Sequence, residues 1–72
     1  MKTNEIRAAR IKKGKSAKDM GTVLGVSEDS YYKKERGDVK FCINDVPLLA
    51  EEFEWTLQDV NYIFFDDKLP TG

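Results

Sequence analysis

Apolar residues recur along most of the chain at intervals of three and four, the spacing that places them on one face of a helix. Five segments show this pattern: residues 4–13, 16–24 and 27–36, a fourth beginning at 44 or 45, and 56–65. No stretch alternates strictly between apolar and polar residues as a half-buried strand does. The pattern therefore predicts an all-α domain of five helices.

The first residue of each segment is of a type that commonly caps a helix N-terminus. Asp19, three residues after the second cap, favours a capping box there. Pro47 is expected in the first turn of the fourth helix, where its missing N–H does no harm. The predicted N-caps are Asn4, Ser16, Ser27, either Asn44 or Asp45, and Thr56.

Glycines and apolar faces complete the predicted helices. Gly14, Gly25 and Gly37 follow the first three segments and are expected to end them. Cys42 is expected to be a small buried apolar residue, since the chain has no histidine to activate it as a nucleophile. In the first segment Ile6 and Ala9 are predicted to face inward, with Ala8 or Ile11 as a further candidate. The other inward residues are predicted to be Met20, Val23, Leu24, Val26, Tyr31, Leu48, Leu49, Phe53, Trp55, Leu57, Val60, Phe65 and at least one of Ile63 and Phe64.

The junction of the second and third segments, Leu24-Gly25-Val26-Ser27, is typical of a helix-turn-helix. Gly25 supplies the positive φ that an abrupt turn requires, and Val26 is expected to fill the gap between the helices. Gly21 is expected where the third helix crosses the second, because a residue without a side chain permits close approach. One face of the third helix would then project outward and fit a major groove about 12 Å wide.

Charge divides the chain into two unlike parts. Residues 1–40 carry eleven Lys and Arg against six Asp and Glu, a net charge of +5, whereas residues 41–72 carry one Lys against seven acids, a net charge of −6. A basic half suits a polyanion and an acidic half should face away from it, although short chains also scatter charge unevenly.

Composition excludes several classes of protein. A 72-residue chain is one domain, predicted to span residues 1–66 with a flexible tail at 67–72. A single cysteine cannot form an internal disulfide, so a reduced, cytoplasmic location is expected. With no histidine the chain also lacks a zinc ligand set, so no metal or cofactor is expected. No signal peptide or membrane-length apolar run is present. Glu51, Glu52 and Glu54 could be paired carboxylates of an enzyme, but a solvated helix face is the simpler interpretation, and no small-molecule substrate is expected.

The stretch from Leu24 to Ser27, then Ser30, then Lys33-Lys34-Glu35-Arg36-Gly37 resembles the "LGVS…(S/T)…K.ERG" pattern of the lambdoid phage repressor and Cro family, also named after the xenobiotic-response-element regulator. The order of residues 47–50 and 55–57 is similar to the family's fourth and fifth helices, so the resemblance covers about residues 4–65. The ending at 61–66 also resembles small prophage regulators of Gram-positive bacteria. The resemblance implies a compact five-helix, lambda-repressor-like DNA-binding domain with its helix-turn-helix at helices 2 and 3.

The family pattern implies a role for particular positions. Base edges would be read by Glu28, Asp29, Tyr32 and Lys33, although Tyr32 suits an ordinary surface equally well. A structural pair would join Arg10 to Glu35. Phosphates would be held around Lys15, Ser16, Ala17, Lys18, Ser27, Lys34, Arg36 and Lys40, with a solvated lysine face at 12, 13, 15 and 18 as the alternative.

Three positions depart from the pattern. Ala17 stands where the family usually has glutamine. Lys34 stands where the family usually has an apolar residue, so the aliphatic stem of Lys34 would cover the core while its amine reaches a phosphate. Glu28 and Asp29 replace amide or basic residues; a carboxylate accepts a hydrogen bond from cytosine N4 but repels phosphates.

The resemblance implies a transcriptional regulator of phage or prophage origin that binds double-stranded DNA in the nucleoid of a bacterial or phage-infected cell. A homodimer through the C-terminal helices is expected. The alternative is a protein-interaction module that keeps the helix-turn-helix frame without strong DNA binding.

Overall fold

Five helices make up the protein in the computed structural model, which describes residues 1–68. They are α1 (Thr3–Lys12), α2 (Ala17–Leu24), α3 (Glu28–Arg36), α4 (Asp45–Phe53) and α5 (Leu57–Phe65). No strand occurs within residues 1–68. The all-α, five-helix prediction is confirmed. Of the predicted flexible tail, residues 69–72 lie outside the described residues.

Three of the predicted N-caps are confirmed. Ser16 and Thr56 each accept a hydrogen bond from the N–H three residues later, and the aspartate at that position bonds back to the cap, which completes a capping box. Ser27 accepts from the N–H of Ser30 at the start of α3. Gly25 (φ 73°) and Gly37 (φ 89°) end α2 and α3 in the left-handed conformation that glycine adopts without a steric penalty.

One other cap was predicted wrongly, and one is confirmed in position only. Asn4 lies inside α1, whose N-cap position is Lys2, because the backbone N–H of Lys2 donates to the Ile63 carbonyl oxygen at 2.7 Å and anchors the helix start on α5. Asn44, one of the two candidates, occupies the N-cap position of α4 as predicted, but its side chain makes no capping hydrogen bond. Asp45 is instead buried at the first helical position, where its carboxylate accepts the backbone N–H of Cys42 at 2.8 Å.

The core lies between helices that pack in pairs: α3 and α4 pack on α2, and α3 and α5 pack on α1. Its fully buried side chains are Tyr31, Ile6, Met20 and Leu49. Phe41, which the sequence pattern assigned to a connector, is also buried and makes edge contacts with the rings of Tyr31 and Phe64. Both Ile63 and Phe64 are buried, so α5 turns two neighbouring side chains inward.

Several predicted core residues lie at the surface. Ala8 and Ile11, the two further candidates for the inward face of α1, are both exposed because they lie on the side of the helix away from Ile6. Cys42 is exposed because its connector is held by its backbone N–H on Asp45. Leu57 and Leu48 are 64% and 40% exposed, since each stands near the start of its helix beyond the packed face. Phe53 and Trp55 are only partly buried and stack at 5.1 Å between ring centroids.

The turn between α2 and α3 is held by a close backbone approach. The N–H of Val26 donates to the Gly21 carbonyl oxygen at 2.8 Å. A Cβ added to Gly21 would lie 2.7 Å from the Val26 carbonyl oxygen, which explains a glycine inside α2. The radius of gyration is 11.6 Å. None of the helices in the described part of the chain has the length and apolar character needed to cross a bilayer.

Candidate nucleic-acid interface

The outer face of α3 brings together the four predicted base-reading side chains. Glu28, Asp29, Tyr32 and Lys33 are all exposed. The opposite face of the same helix is buried, with Tyr31, Lys34 and Glu35 against the rest of the domain. The period of 3.6 residues therefore divides α3 into one packed and one free face.

Ion pairs partly neutralise this free face. Lys33 Nζ lies 3.3 Å from Asp29 Oδ2 one turn earlier, and Arg36 Nη2 lies 3.2 Å from Asp38 Oδ2. Glu28 has no ion-pair partner within residues 1–68. Exposed pairs of this kind contribute only about 0–1 kcal/mol, so both cations can exchange their carboxylates for an external anion.

The N-terminus of α2 presents unpaired backbone donors. Its capping box uses the N–H groups of Ser16 and Asp19, and hydrogen bonds from Ser16 hold the pKa of the Asp19 carboxyl below its usual value. The N–H groups of Ala17 and Lys18 have no acceptor among the described residues, as expected for the first turn of a helix. The Ala17 methyl group is buried, so only its backbone is available, whereas the Lys18 side chain is exposed. Such a helix start favours an anion.

The remaining phosphate candidates differ in their surroundings. Ser27 Oγ is engaged in capping α3 and donates to Ser30 Oγ at 3.0 Å. Lys15 Nζ is 4.0 Å from a carboxylate oxygen of Glu52, towards α4. Lys40 is exposed and has no ion pair within the described chain. Lys40 is therefore the freest of these three to meet an external anion.

The side-chain amine of Lys34 does not point outward. Its Nζ lies in the interior, 2.8 Å from Asp45 Oδ2, and its side chain is only 8% exposed. The hydrogen bond to Asp45 raises the pKa of Lys34. The ammonium is thus committed to an internal pair that joins α3 to the start of α4, and, contrary to expectation, it does not face outward toward a phosphate. The connector's dependence on Asp45 carried no local sequence signal, since an aspartate at a helix start ordinarily indicates a cap.

A second internal network orients α3 on α1. Arg10 donates to both Glu35 carboxylate oxygens, at 2.9 and 3.1 Å, and to the Lys15 carbonyl oxygen at 3.1 Å. Tyr31 Oη donates to Glu35 at 2.6 Å. The bond to Glu35 raises the pKa of Arg10, and burial, with the same carboxylate, raises the pKa of Tyr31. The pair that the resemblance implies is therefore formed, and it fixes the angle at which the outer face of α3 is presented.

Arg7 is a cation beside this face that the sequence pattern did not single out. Its side chain is 66% exposed, and its Nε is 3.8 Å from Glu35 Oε1. It lines a cleft between α1 and α3 with Tyr32 and Arg36 among its walls. The sequence did offer a signal for Arg7. It stands one turn before Arg10 on α1, and Arg10 pairs with Glu35 on α3, so helical spacing also places Arg7 near α3.

The carboxylates of α4 do not form a reactive group. Glu51 and Glu54 are exposed, while Glu52 accepts a hydrogen bond from Lys13 through its carbonyl oxygen and lies 3.4 Å from the same ammonium through its carboxylate. Within residues 1–68, no three acidic or cysteine side chains come together in a way that could hold a metal ion.

Comparison with known proteins finds no match among family models, curated proteins or solved structures.

Proposed function

We propose that the chain is a sequence-specific DNA-binding transcriptional regulator of the repressor and Cro kind, of phage or prophage origin, with a lambda-repressor-like helix-turn-helix formed by α2 and α3. The observation that carries the proposal is the division of α3 into a packed inner face and an exposed outer face bearing Glu28, Asp29, Tyr32 and Lys33. A helix fixed in this manner can lie in a major groove and offer those side chains to base edges.

Three further features support phosphate contact around that helix. The unpaired N–H groups at the start of α2 favour an anion, as does the cation of Lys18 beside them. Arg36 and Arg7 add exposed cations at the end of α3 and on α1, and Lys40 adds one in the following loop. Contacts of this type position a protein on the duplex, while base contacts determine the sequence.

The carboxylates at 28 and 29 imply a particular base preference. A carboxylate accepts a hydrogen bond, and cytosine N4 is the donor that it pairs with in the major groove. Tyr32 and Lys33 supply donors for purine acceptors. The cost of placing acids near phosphates makes affinity strongly dependent on the correct base pairs and on salt.

The regulator would act as a homodimer on a two-fold-related site, with half-sites about 34 Å apart, in the cytoplasm of a bacterial or phage-infected cell. The exposed Leu57 and Tyr62 of α5 make the C-terminal helices one candidate dimer face.

Selection from a randomised duplex pool at about 50 mM salt tests the proposal. The expected result is an enriched motif containing cytosines opposite α3. Absence of both enrichment and binding at this salt concentration would exclude the DNA-binding function.

A protein-interaction module is the second candidate, favoured by the uncompensated acid Glu28 and by Ala17 in place of a phosphate-binding glutamine. The double variant Glu28→Gln/Asp29→Gln distinguishes the two candidates. A DNA reader changes its preferred sequence, whereas a protein binder loses its partner and gains nonspecific DNA affinity. Glu51→Gln/Glu54→Gln, on exposed positions of α4 and its C-terminus, is the matched control and should change neither.

A further inference from the structure

The exposed face of α1 is formed by five side chains at helical spacing. Its inner face is buried through Ile6 and held to α3 through Arg10. At 100° per residue, the side chains on the opposite side are centred on the exposed Ala8. The five residues of this face are Asn4, Glu5, Ala8, Ile11 and Lys12; Glu5 is half-buried and the other four are exposed. Ile11 is 55% exposed, an apolar side chain left uncovered in the last turn of a charged helix.

Depressions flank Ala8 on both sides. A groove of about 710 Å³ separates α1 from α5, with Phe53, Trp55 and Ile63 in its apolar wall and Glu5 and Lys12 on its rim. A shallower one of about 400 Å³ lies on the other side, where Asn4, Arg7 and Ile11 line it. Ala8 thus stands on a low ridge that another helix can approach closely, because the side chain at the crossing point is a single methyl group.

The charges of this face are complementary to themselves. Glu5 and Lys12 are seven residues apart on the same side of α1, and neither has an ion-pair partner among residues 1–68. They stand three residues before and four residues after Ala8. Reversing the helix about Ala8 therefore brings each of the two charges close to the position of the other.

We propose that this face binds a second copy of the chain, with the two α1 helices antiparallel and Ala8 beside the two-fold axis. Glu5 of each copy then faces Lys12 of the other, and Ile11 of each enters the shallow depression beside Asn4 of the other. A two-fold contact requires a patch that complements itself, and this face meets that requirement twice, in charge and in shape. The contact is distinct from one made by the exposed side chains of α4 and α5.

The contact is small. A helix of ten residues is about 15 Å long, so the interface is below the standard size of stable complexes, and a dissociation constant of about 10–500 µM is expected. The residues that anchor α3 on α1, Arg10 and Glu35, lie away from this face. The dimer is therefore expected without DNA, and the inference stands whether or not α3 reads DNA.

Sedimentation equilibrium of the full chain without DNA, at about 10 µM to 1 mM protein, tests this interface. Five variants are compared with the wild type: Glu5→Lys, Lys12→Glu, the double variant with both changes, Ala8→Arg, and Glu51→Lys as a control of equal charge change on exposed α4. Leu57→Ser, also measured, tests the face made by α5. Thermal unfolding of each variant shows whether it is folded at the temperature used.

The expected result has three parts. Glu5→Lys, Lys12→Glu and Ala8→Arg each raise the dissociation constant at least tenfold, and the double variant returns it to within about threefold of wild type because opposite charges face each other again. Glu51→Lys and Leu57→Ser leave it unchanged. The fluorescence emission of Trp55, the only tryptophan, shifts to shorter wavelength as the concentration of the wild-type protein is raised. The shift is expected because Trp55 lines the groove that the second copy covers.

Three results would overturn the interface. One is a wild-type chain that stays monomeric at about 1 mM. Another is a folded double variant that dimerises no better than its single parents. The third is a dimer that Leu57→Ser disrupts and the α1 variants do not, which would assign dimerisation to α5.

Discussion

The carbonyl oxygen of Val26 lies 2.7 Å from the point that a Cβ on Gly21 would occupy, and the N–H of Val26 donates to the Gly21 carbonyl oxygen. The turn after α2 thus folds back on α2 itself. The obstructing atom is backbone, so a side chain at 21 cannot be accommodated by a rotamer change.

Gly21→Ala is therefore expected to lower the free energy of unfolding by about 1–3 kcal/mol, the usual effect of overpacking, despite alanine's better helix propensity. Urea unfolding measures it, with the exposed Thr22→Ala in the same helix as control. A gain of about 1 kcal/mol in the Gly21 variant, as propensity alone predicts, would show that the two helices are not held this closely.

Glu35 accepts hydrogen bonds from both Arg10 and Tyr31 in the interior. Glu35→Ala leaves a largely buried guanidinium without its anion, and it should cost about 3–5 kcal/mol and clearly lower the melting temperature. Asp38→Ala breaks the exposed pair with Arg36 and should cost less than about 1 kcal/mol. Equal melting temperatures for the two variants would mean that the internal network does not hold α3.

Lys34 and Asp45 form the second internal pair, and their removal should not be additive. Lys34→Met leaves the Asp45 carboxylate buried with only the Cys42 N–H, and should destabilise the domain by about 3–5 kcal/mol. Lys34→Met/Asp45→Asn removes both charges while keeping an acceptor for Cys42, and most of the stability should return. A double variant as unstable as Lys34→Met, measured by urea unfolding, would contradict this account of the pair.

Because of the capping box of α2, part of the free energy of unfolding is expected to be lost at acid pH. Hydrogen bonds from Ser16 lower the pKa of Asp19 in the folded state, so its contribution is complete above the unfolded value of about 3.8 and is lost as pH falls through the lower folded value. Asp19→Asn should flatten this part of the curve of unfolding free energy between about pH 4 and pH 2. Ser16→Ala should remove the same component. If the unfolding free energy of wild type and of Asp19→Asn falls with the same slope as the pH is lowered, the prediction is contradicted.

Local signals sufficed for the helices but not for every helix start. Ser16, Ser27 and Thr56 cap as predicted because a cap acts within one turn of its own helix. The start of α1 depends instead on the N–H of Lys2 bonding to Ile63, across most of the chain, and no pattern around Asn4 reports such a contact.

The same limit applies to single side chains at the candidate site. Helical spacing correctly separated the inward Tyr31 from the outward Tyr32 on α3. It did not show that the ammonium of Lys34 would meet a buried carboxylate eleven residues later, because the connector that carries Asp45 inward is irregular. The exposed Arg7 was missed for a related reason: it joins the site only through the packing of α1 on α3.

An NMR titration of the labelled chain with a duplex selected from the randomised pool tests whether the outer face of α3 meets DNA. Amide shift changes are expected to concentrate at residues 16–18 and 28–40 and to diminish as salt is raised. Changes confined to α4 and α5, or none at about 50 mM salt, would contradict this DNA contact.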